Sequence, residues 1–193
     1  MSKRRRIGIL GGSFNPIHTG HLLLAEQAKQ QLGLEKVLFI PANLSPLKGT
    51  RALAKAGQRY RMAVLATKSN PGFAVSKIEL TRGGRSYSFE TMARLKQIFA
   101  DCDLFFLVGS DFIKQRANWK NIEQLSLACR FIIGQRPGFT FKKLPKRMRR
   151  ITINAVDISS TQIRQRIRKA QSIRYLVPEP VRKYILKNKL YLW

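Results

Sequence analysis

The chain has two histidines, His18 and His21, and both lie in one short segment that begins with Gly11 and Gly12. On the first turn of a helix, residues three positions apart share a face, so the two imidazoles would point to the same side. The amide N–H groups and the dipole of a helix start favour an anion at that place. The pair therefore predicts a phosphate site, with a chance pairing or a partial metal site as the alternatives.

The elements that must position this pair alternate along the chain. Apolar runs predict strands at residues 7–10, 37–40, 73–78, 104–108, 131–133 and 151–153. Helical spacing predicts helices at residues 20–32, 58–69, 88–99 (capped by Ser88) and 119–128, one capped by Ser159 or Ser160, and near-helical spacing over 178–192. Residues 42–57 are predicted as a loop, 82–85 as a turn and 142–150 as a basic stretch.

This alternation, with strands that are apolar throughout, predicts an α/β fold: a doubly wound, mostly parallel sheet with helices on both faces. Right-handed crossovers place the loops after the strands at one edge, where ligands collect. These loops contain residues 11–21, 41–48, 109–111 and 136–138. A length of 193 residues predicts a single domain over 1–193, with a helical C-terminal portion from about residue 158.

Charge is the unusual feature of the composition. Lys and Arg number 37 against 10 Asp and Glu, a formal net charge of +27. Such a field attracts polyanions, meaning nucleic acid, anionic membrane or phosphorylated small molecules. The basic residues are not interleaved with an aromatic platform, and no nucleic-acid motif is present. We therefore expect polyanion binding only as a side property, and a solvated surface for most of the charges.

Other class signals are quiet. No apolar run approaches the roughly 18–20 residues of a membrane span, and the apolar stretch after the basic start is too short for a signal peptide. These features predict a cytoplasmic protein. Cys102 and Cys129 form no close-spaced pair, which predicts reduced core thiols and no zinc site.

Five motifs carry a resemblance to a known family. The segment from Gly11 to His21, with His18-Thr19-Gly20-His21 at its end, resembles the HxGH signature of the nucleotidyltransferase superfamily. Four further motifs are similar to those of nicotinate-nucleotide adenylyltransferases: residues 86–91, residues 106–111 with Trp119, residues 158–164, and residues 175–178 with Val181 and Tyr184. Together they cover nearly the whole chain in the right order.

The resemblance implies a Rossmann-like fold and a reaction of NAD biosynthesis. ATP and nicotinate mononucleotide would give deamido-NAD and pyrophosphate, with Mg²⁺ bridging phosphates and no metal ligand from protein side chains. The catalytic residues would be His18, His21, Lys48 and Arg164. The ATP contacts would be Gly11, Gly12, Ser13, Phe14, His18, His21, Ser159, Ser160, Thr161 and Arg164. The mononucleotide contacts would be Asn15, Lys48, Tyr87, Thr91, Asp111, Trp119 and Arg136.

Several alternatives stay open at this stage. Lys48 is equally an ordinary loop lysine, Asp111 a helix cap, and Trp119 a core side chain. Asn15 stands where many relatives carry Asp, and Leu47 where many carry His. Nicotinamide mononucleotide and phosphopantetheine are rival substrates, and a basic nucleic-acid-binding protein is the rival from a different class. The oligomeric state is not predicted.

Overall fold

The computed structural model describes residues 4–46, 54–110, 119–135, 148–154 and 156–192. Six strands in this part of the chain form one sheet, in which every neighbouring pair is parallel. The strands are β1 (Arg5–Gly12), β2 (Lys36–Pro41), β3 (Phe73–Val75), β4 (Cys102–Gly109), β5 (Arg130–Gln135) and β6 (Met148–Thr152). Their order is β3-β2-β1-β4-β5-β6, which confirms the predicted doubly wound parallel sheet.

Helices cover both faces of the sheet. They are α1 (Thr19–Leu32), α2 (Ala56–Thr67), α3 (Ile78–Arg82), α4 (Ser88–Ile98), α5 (Ile122–Ala128), α6 (Ser160–Arg168) and α7 (Glu179–Lys187). One core cluster joins the apolar faces of α1, α2, α6 and α7 to the sheet, and a second cluster joins α4 and α5 to its other face. The single domain predicted over 1–193 stays a prediction.

Strand residues alternate between the two clusters. On β4, Phe105 and Leu107 belong to the first cluster, whereas Leu104 and Phe106 belong to the second. Because successive side chains of a strand point to opposite faces, an apolar run with no polar residue is what a sheet buried on both faces requires. The sequence order reverses between β1 and β4, so the loop after β1 opens at the switch point where such folds bind ligands.

The segment after β3 differs from the prediction. A strand was predicted over residues 73–78, but β3 ends at Val75 and α3 begins at Ile78. Ser76 Oγ accepts a hydrogen bond from the backbone N–H of Ile78, at 3.2 Å, and turns the chain into the short helix. The predicted turn follows it, with Gly83 and Gly84 at positive φ.

Several other boundaries differ from the predictions, among them that α2 is Ala56–Thr67 rather than 58–69 and that α7 ends at Lys187 rather than at 192. β6 is Met148–Thr152, so the predicted basic stretch ends in three strand residues, of which two are the arginines Arg149 and Arg150. Their side chains are exposed because β6 is an edge strand, and an edge strand needs no apolar run. α5 begins at Ile122, three residues later than predicted. Tyr87, not Ser88, holds the N-cap position of α4, without a side-chain cap bond.

Two further predictions concern the cysteines, expected to be reduced core thiols, and the lack of a membrane span. Cys102 and Cys129 are both free, and burial raises the pKa of the Cys129 thiol to about 12, so that it stays protonated at neutral pH. None of the helices in the described ranges has the length and apolar character needed to cross a bilayer.

Gly8 on β1 tests how closely the first cluster is packed. A Cβ at this position would lie 2.8 Å from Leu34 Cδ1, 3.1 Å from Val37 Cγ2 and 3.3 Å from Leu107 Cδ1. We expect Gly8→Ala to lower the free energy of unfolding by about 1–3 kcal/mol through overpacking. At exposed Gly57 of α2, where a Cβ would meet nothing within 4 Å, the same change should raise it by about 0.5–1 kcal/mol. Urea unfolding followed by circular dichroism measures both; equal effects would contradict the close packing.

Candidate active site

The two histidines lie where β1 gives way to α1. His18 has extended backbone angles, φ −143° and ψ 169°, and is the N-cap residue of α1. Its backbone N–H donates to Nδ1 of His21 at 3.2 Å. The two ring centroids are 3.7 Å apart with an angle of 33° between the planes. Because Nδ1 of His21 accepts, a neutral His21 ring carries its proton on Nε2, which is then a donor for an incoming anion.

Close packing fixes both rings. A Cβ on residue 20 would lie 3.2 Å from Nδ1 and 3.3 Å from Cε1 of His18, so a larger residue there would push the imidazole aside by a few tenths of an ångström. The ring of buried Phe14 stands edge-on to His21, at 5.1 Å between centroids. Phe14 has φ 45°, a left-handed conformation that costs a residue with a Cβ about 1–3 kcal/mol. Such strain persists only where the surrounding structure over-determines the backbone.

The start of α1 is partly occupied by the C-terminal part of the chain. The amide of Thr19 donates to the carbonyl oxygen of Leu176 at 3.0 Å, and its hydroxyl donates to that of Tyr175 at 3.0 Å. The amide of His21 donates to the carbonyl of His18 at 2.9 Å. These two first-turn amides are therefore already bonded within the protein, and the anion site that the sequence predicts would have to use the imidazoles and the helix dipole.

The second predicted ATP motif, at the start of α6, docks on the loop from Gly11 to His18 that leads from β1 into α1, which we call the histidine loop. Ser159 caps α6 by accepting from the amide of Gln162 at 3.1 Å. Ser160 Oγ donates to the carbonyl of Pro16 at 2.9 Å. Arg164 donates through one terminal nitrogen to the carbonyl of Asn15 at 2.8 Å, and through the other to Thr161 Oγ1 at 3.1 Å.

One nitrogen of Arg164, Nε, is buried at this junction and has no hydrogen-bond partner among the residues that the structure describes. Burial lowers the pKa of Arg164, but a guanidinium stays charged at neutral pH. The side chain therefore both braces the loop and keeps a positive charge beside it.

Asn15 lies inside the loop rather than on its surface. Its side chain is 1% exposed, and Oδ1 accepts from the amide of Ala54 at 3.0 Å and from the hydroxyl of Tyr191 at 2.9 Å. Burial raises the pKa of Tyr191, which keeps its hydroxyl protonated and able to donate. The predicted role of Asn15 was contact with the mononucleotide, whereas the structure uses its side-chain oxygen to join three distant segments.

Arg59 on α2 was missed by the sequence analysis. Its side chain is buried, and its guanidinium donates to four backbone carbonyls. The acceptors and distances are Ser13 at 2.8 Å, Ala42 at 2.6 Å, Asn43 at 2.7 Å and Ala54 at 3.0 Å. A signal was present: position 59 lies on the face of α2 that carries Met62, Ala63 and Ala66, at the spacing of the buried residues.

A buried carboxylate lies on the other side of the loop after β2. Glu79 is 6% exposed, and its Oε1 accepts from Thr91 Oγ1 at 2.7 Å. Burial raises the pKa of Glu79, while hydrogen bonds from Thr91 and Ser86 act in the opposite direction. Ser86 Oγ also accepts from the amide of Asn43 at 2.8 Å. Thr91, predicted to contact the mononucleotide, is therefore buried and bonded to Glu79.

Aromatic side chains line the region between β4 and α4. The indole of Trp119 stands edge-on to Phe106, at 5.9 Å between centroids, as a partly buried member of the second core cluster. The ammonium of Lys120 lies 4.8 Å from the centroid of the Tyr87 ring. Ser110 Oγ, just after β4, is buried and has no hydrogen-bond partner within the described ranges. A Cβ on Gly11 would lie 3.8 Å from Phe106 Cζ, so this group borders the start of the histidine loop. Ring stacking by Trp119 stays a prediction.

Four predicted positions lie outside the described residues: Leu47, Lys48, Asp111 and Arg136. The structure brings together the loop from Gly11 to His18 and the start of α6, as the two ATP motifs require. In the described part of the chain, no three His, Cys, Asp or Glu side chains are placed to hold a metal ion.

Comparisons with known proteins agree on one family. A family model described as cytidylyltransferase-like matches residues 9–166. A protein of Saccharopolyspora erythraea named "Probable nicotinate-nucleotide adenylyltransferase" is 40% identical, over 99% of this chain and 92% of its own length. One of the same name from Thermus thermophilus is 41% identical, over 96% of this chain and 99% of its own length.

A solved structure shows the same fold at lower identity. The nicotinic acid mononucleotide adenylyltransferase of Plasmodium falciparum, complexed with NaAD, superposes with a TM-score of 0.82 at 22% identity and covers 97% of each chain. With sequence relatives at about 40% identity over nearly the full length, the chain belongs to the nicotinate-nucleotide adenylyltransferase family.

Proposed function

We propose that this chain transfers the adenylyl group of ATP to nicotinate mononucleotide, giving deamido-NAD (nicotinate adenine dinucleotide) and pyrophosphate in NAD biosynthesis. The observation that carries the proposal is the histidine pair: two imidazoles 3.7 Å apart at the carboxyl edge of β1, one of them oriented by a hydrogen bond from the backbone. The sequence relatives are named for this reaction.

In the proposed step, a phosphate oxygen of the mononucleotide attacks the α-phosphorus of ATP. The bond from that phosphorus to the bridging oxygen breaks, and the electron pair leaves on pyrophosphate. The nucleophile is already anionic, so positioning and charge stabilisation matter more than a strong base. Nε2–H of His21, with the ring of His18 beside it, would stabilise the charge that develops on the α-phosphoryl oxygens.

The remaining assignments divide into contacts and supports. Gly11, Gly12, Ser13 and Phe14 would line the ATP phosphates, and Arg164 would add its positive charge. Ser159, Ser160 and Thr161 would hold the start of α6 against the loop. For the mononucleotide we keep Lys48, Tyr87, Asp111, Trp119 and Arg136 as contacts. Asn15 and Thr91 would act as supports, because their side chains are bonded inside the protein.

Mg²⁺ is part of the proposal through its ATP complex. The described loop offers imidazoles, hydroxyls and a guanidinium rather than the carboxylates that Mg²⁺ prefers. This donor set fits an ion that ATP phosphates and water hold, with no protein ligand. When bound, the ion would neutralise phosphate charge. The histidines and Arg164 would supply the remaining charge stabilisation from the protein.

Two wider expectations accompany the function. We place the protein in the cytoplasm, where ATP is available. Binding of nucleic acid or another polyanion as a side property stays a prediction of the charge of +27, and so does the preference for nicotinate over nicotinamide mononucleotide.

Pyrophosphate release from ATP and Mg²⁺ tests the function directly. We expect release with nicotinate mononucleotide to exceed release with nicotinamide mononucleotide or phosphopantetheine, because a strongly basic protein favours the substrate with the additional carboxylate. The measurement is kcat/KM for each acceptor in one coupled assay. A preference for either rival would keep the chemistry and change the substrate; no release with any acceptor would contradict the proposal.

His21 variants separate the donor from the helix cap. His21→Gln places an amide N–H near the position of Nε2, whereas His21→Asn keeps only an acceptor near Nδ1, where the amide of His18 donates. We expect Asn to lower kcat by roughly 10²–10³-fold and Gln by less, since loss of one charge-stabilising donor has that cost. Steady-state kinetics with thermal unfolding as the control checks this. Equal losses would show that Nε2 does not act on the substrate.

Gly20→Ala separates activity from stability at the neighbouring ring. The added Cβ would displace the imidazole of His18, so we expect kcat to fall by roughly 10-fold to 10²-fold. Ala is a better helix former than Gly, so the melting temperature should hold or rise. Unchanged kcat would mean that the position of His18 is not critical.

A further inference from the structure

Arg59 is a buried cation whose charge faces backbone carbonyls. Its side chain is 2% exposed, on the face of α2 that packs into the first core cluster. Burial lowers its pKa, and taking a guanidinium out of water costs free energy that only complete hydrogen bonding offsets. The four carbonyls supply that bonding at 2.6–3.0 Å.

The four acceptors belong to three separate segments at the same sheet edge. Ser13 is in the loop that leads to the histidines, Ala42 and Asn43 follow β2, and Ala54 precedes α2. The guanidinium thus holds the chain just before and just after the segment that contains Lys48. It holds both to the backbone of the histidine loop.

The contact extends to the segment predicted to bind the mononucleotide. The carbonyl of Asn43 accepts from Arg59 at 2.7 Å, while the amide of Asn43 donates to Ser86 Oγ at 2.8 Å. The amide of Ser86 in turn donates to the carbonyl of Leu44 at 2.8 Å. Tyr87 follows directly. A displacement of Arg59 would therefore shift both the histidine loop and the segment predicted to bind the mononucleotide.

We propose that Arg59 is a positioning residue that sets the distance between the histidine loop and the loop after β2, and hence between the two substrates. The inference rests on the proposed function. Lys cannot replace it, because an ammonium has three donors at one point, whereas the planar guanidinium has five that spread over several acceptors. An apolar residue would leave four carbonyls without their donor.

The kinetic test compares Arg59→Lys with Met62→Ala. Met62 is fully buried on the same face of α2 and belongs to the first core cluster, so its truncation weakens the same helix. We expect Arg59→Lys to lower kcat by roughly 10²-fold, as misplaced reacting groups do. Met62→Ala should lower the melting temperature at least as much and keep kcat within about twofold. Equal loss of kcat in both variants would reduce Arg59 to an ordinary core residue.

A second variant and a substrate-free measurement keep the two proposals distinguishable. In Arg59→Ala, added guanidinium chloride at low concentration should restore part of kcat, and ammonium chloride at the same ionic strength should not. In Arg59→Lys, hydrogen exchange at the amides of Asn43 and Ala54 should accelerate at least 10-fold, with that of Phe106 on β4 unchanged. If the wild type releases no pyrophosphate, the function fails while the exchange result still decides the positioning. Unchanged exchange would overturn it.

Discussion

Three carbonyl groups of the histidine loop depend on side chains from far along the chain. The carbonyl of Ser13 accepts from Arg59, 46 residues away, that of Pro16 from Ser160, 144 residues away, and that of Asn15 from Arg164, 149 residues away. Backbone polar groups that leave water must be paired. The loop has left the ladder of β1 and includes the left-handed Phe14, so regular secondary structure cannot pair them. Side-chain donors take the place of a strand partner.

This arrangement explains how a loop can hold a reaction geometry. A strained residue such as Phe14 is kept in place only if its neighbours are fixed on both sides. Arg59 fixes the loop before Phe14, while Ser160 and Arg164 fix it after, and the histidines follow within a few residues of Pro16. Preorganised donors need no rearrangement when charge develops in the transition state, and this is the source of electrostatic catalysis. Two of the three supporting side chains are cations, so the same groups that fix the backbone also raise the local positive potential.

The parts of this structure that follow from local pattern were predictable from sequence. The central strands are apolar because both faces are covered, so β1, β2, β4 and β5 were located within about two residues. Elements with one open side were not: β6 is an edge strand with exposed arginines, and α3 begins at a serine turn that no apolar period marks.

The residues of the site also divide into those that a local sequence pattern predicts and those that depend on long-range contacts. Two histidines three positions apart are visible in the sequence, and so is the serine cap of α6. Arg59 was not found, because a charged residue on an apolar helix face interrupts the pattern that identifies a buried face. Its role becomes visible only with its acceptors, three of which lie far away in the sequence. Thr91 and Asn15 were predicted to contact the mononucleotide, because resemblance to a motif identifies a residue without identifying the group to which it bonds in the fold. Their partners, Glu79 and Tyr191, lie 12 and 176 residues away.

Asn15 shows how a departure from a family pattern can be compatible with function. Its Oδ1 needs to accept from two donors, the amide of Ala54 and the hydroxyl of Tyr191, and an amide oxygen does this as well as a carboxylate oxygen. Because burial raises the pKa of Tyr191, the hydroxyl remains a neutral donor, and no charge is required to hold it. The neutral amide also leaves out a negative charge from the loop that polyanionic ATP would approach in the proposed reaction. The geometry that joins the C-terminal residues to the histidine loop thus depends on an oxygen that accepts two hydrogen bonds at position 15, and it does not require a charge there.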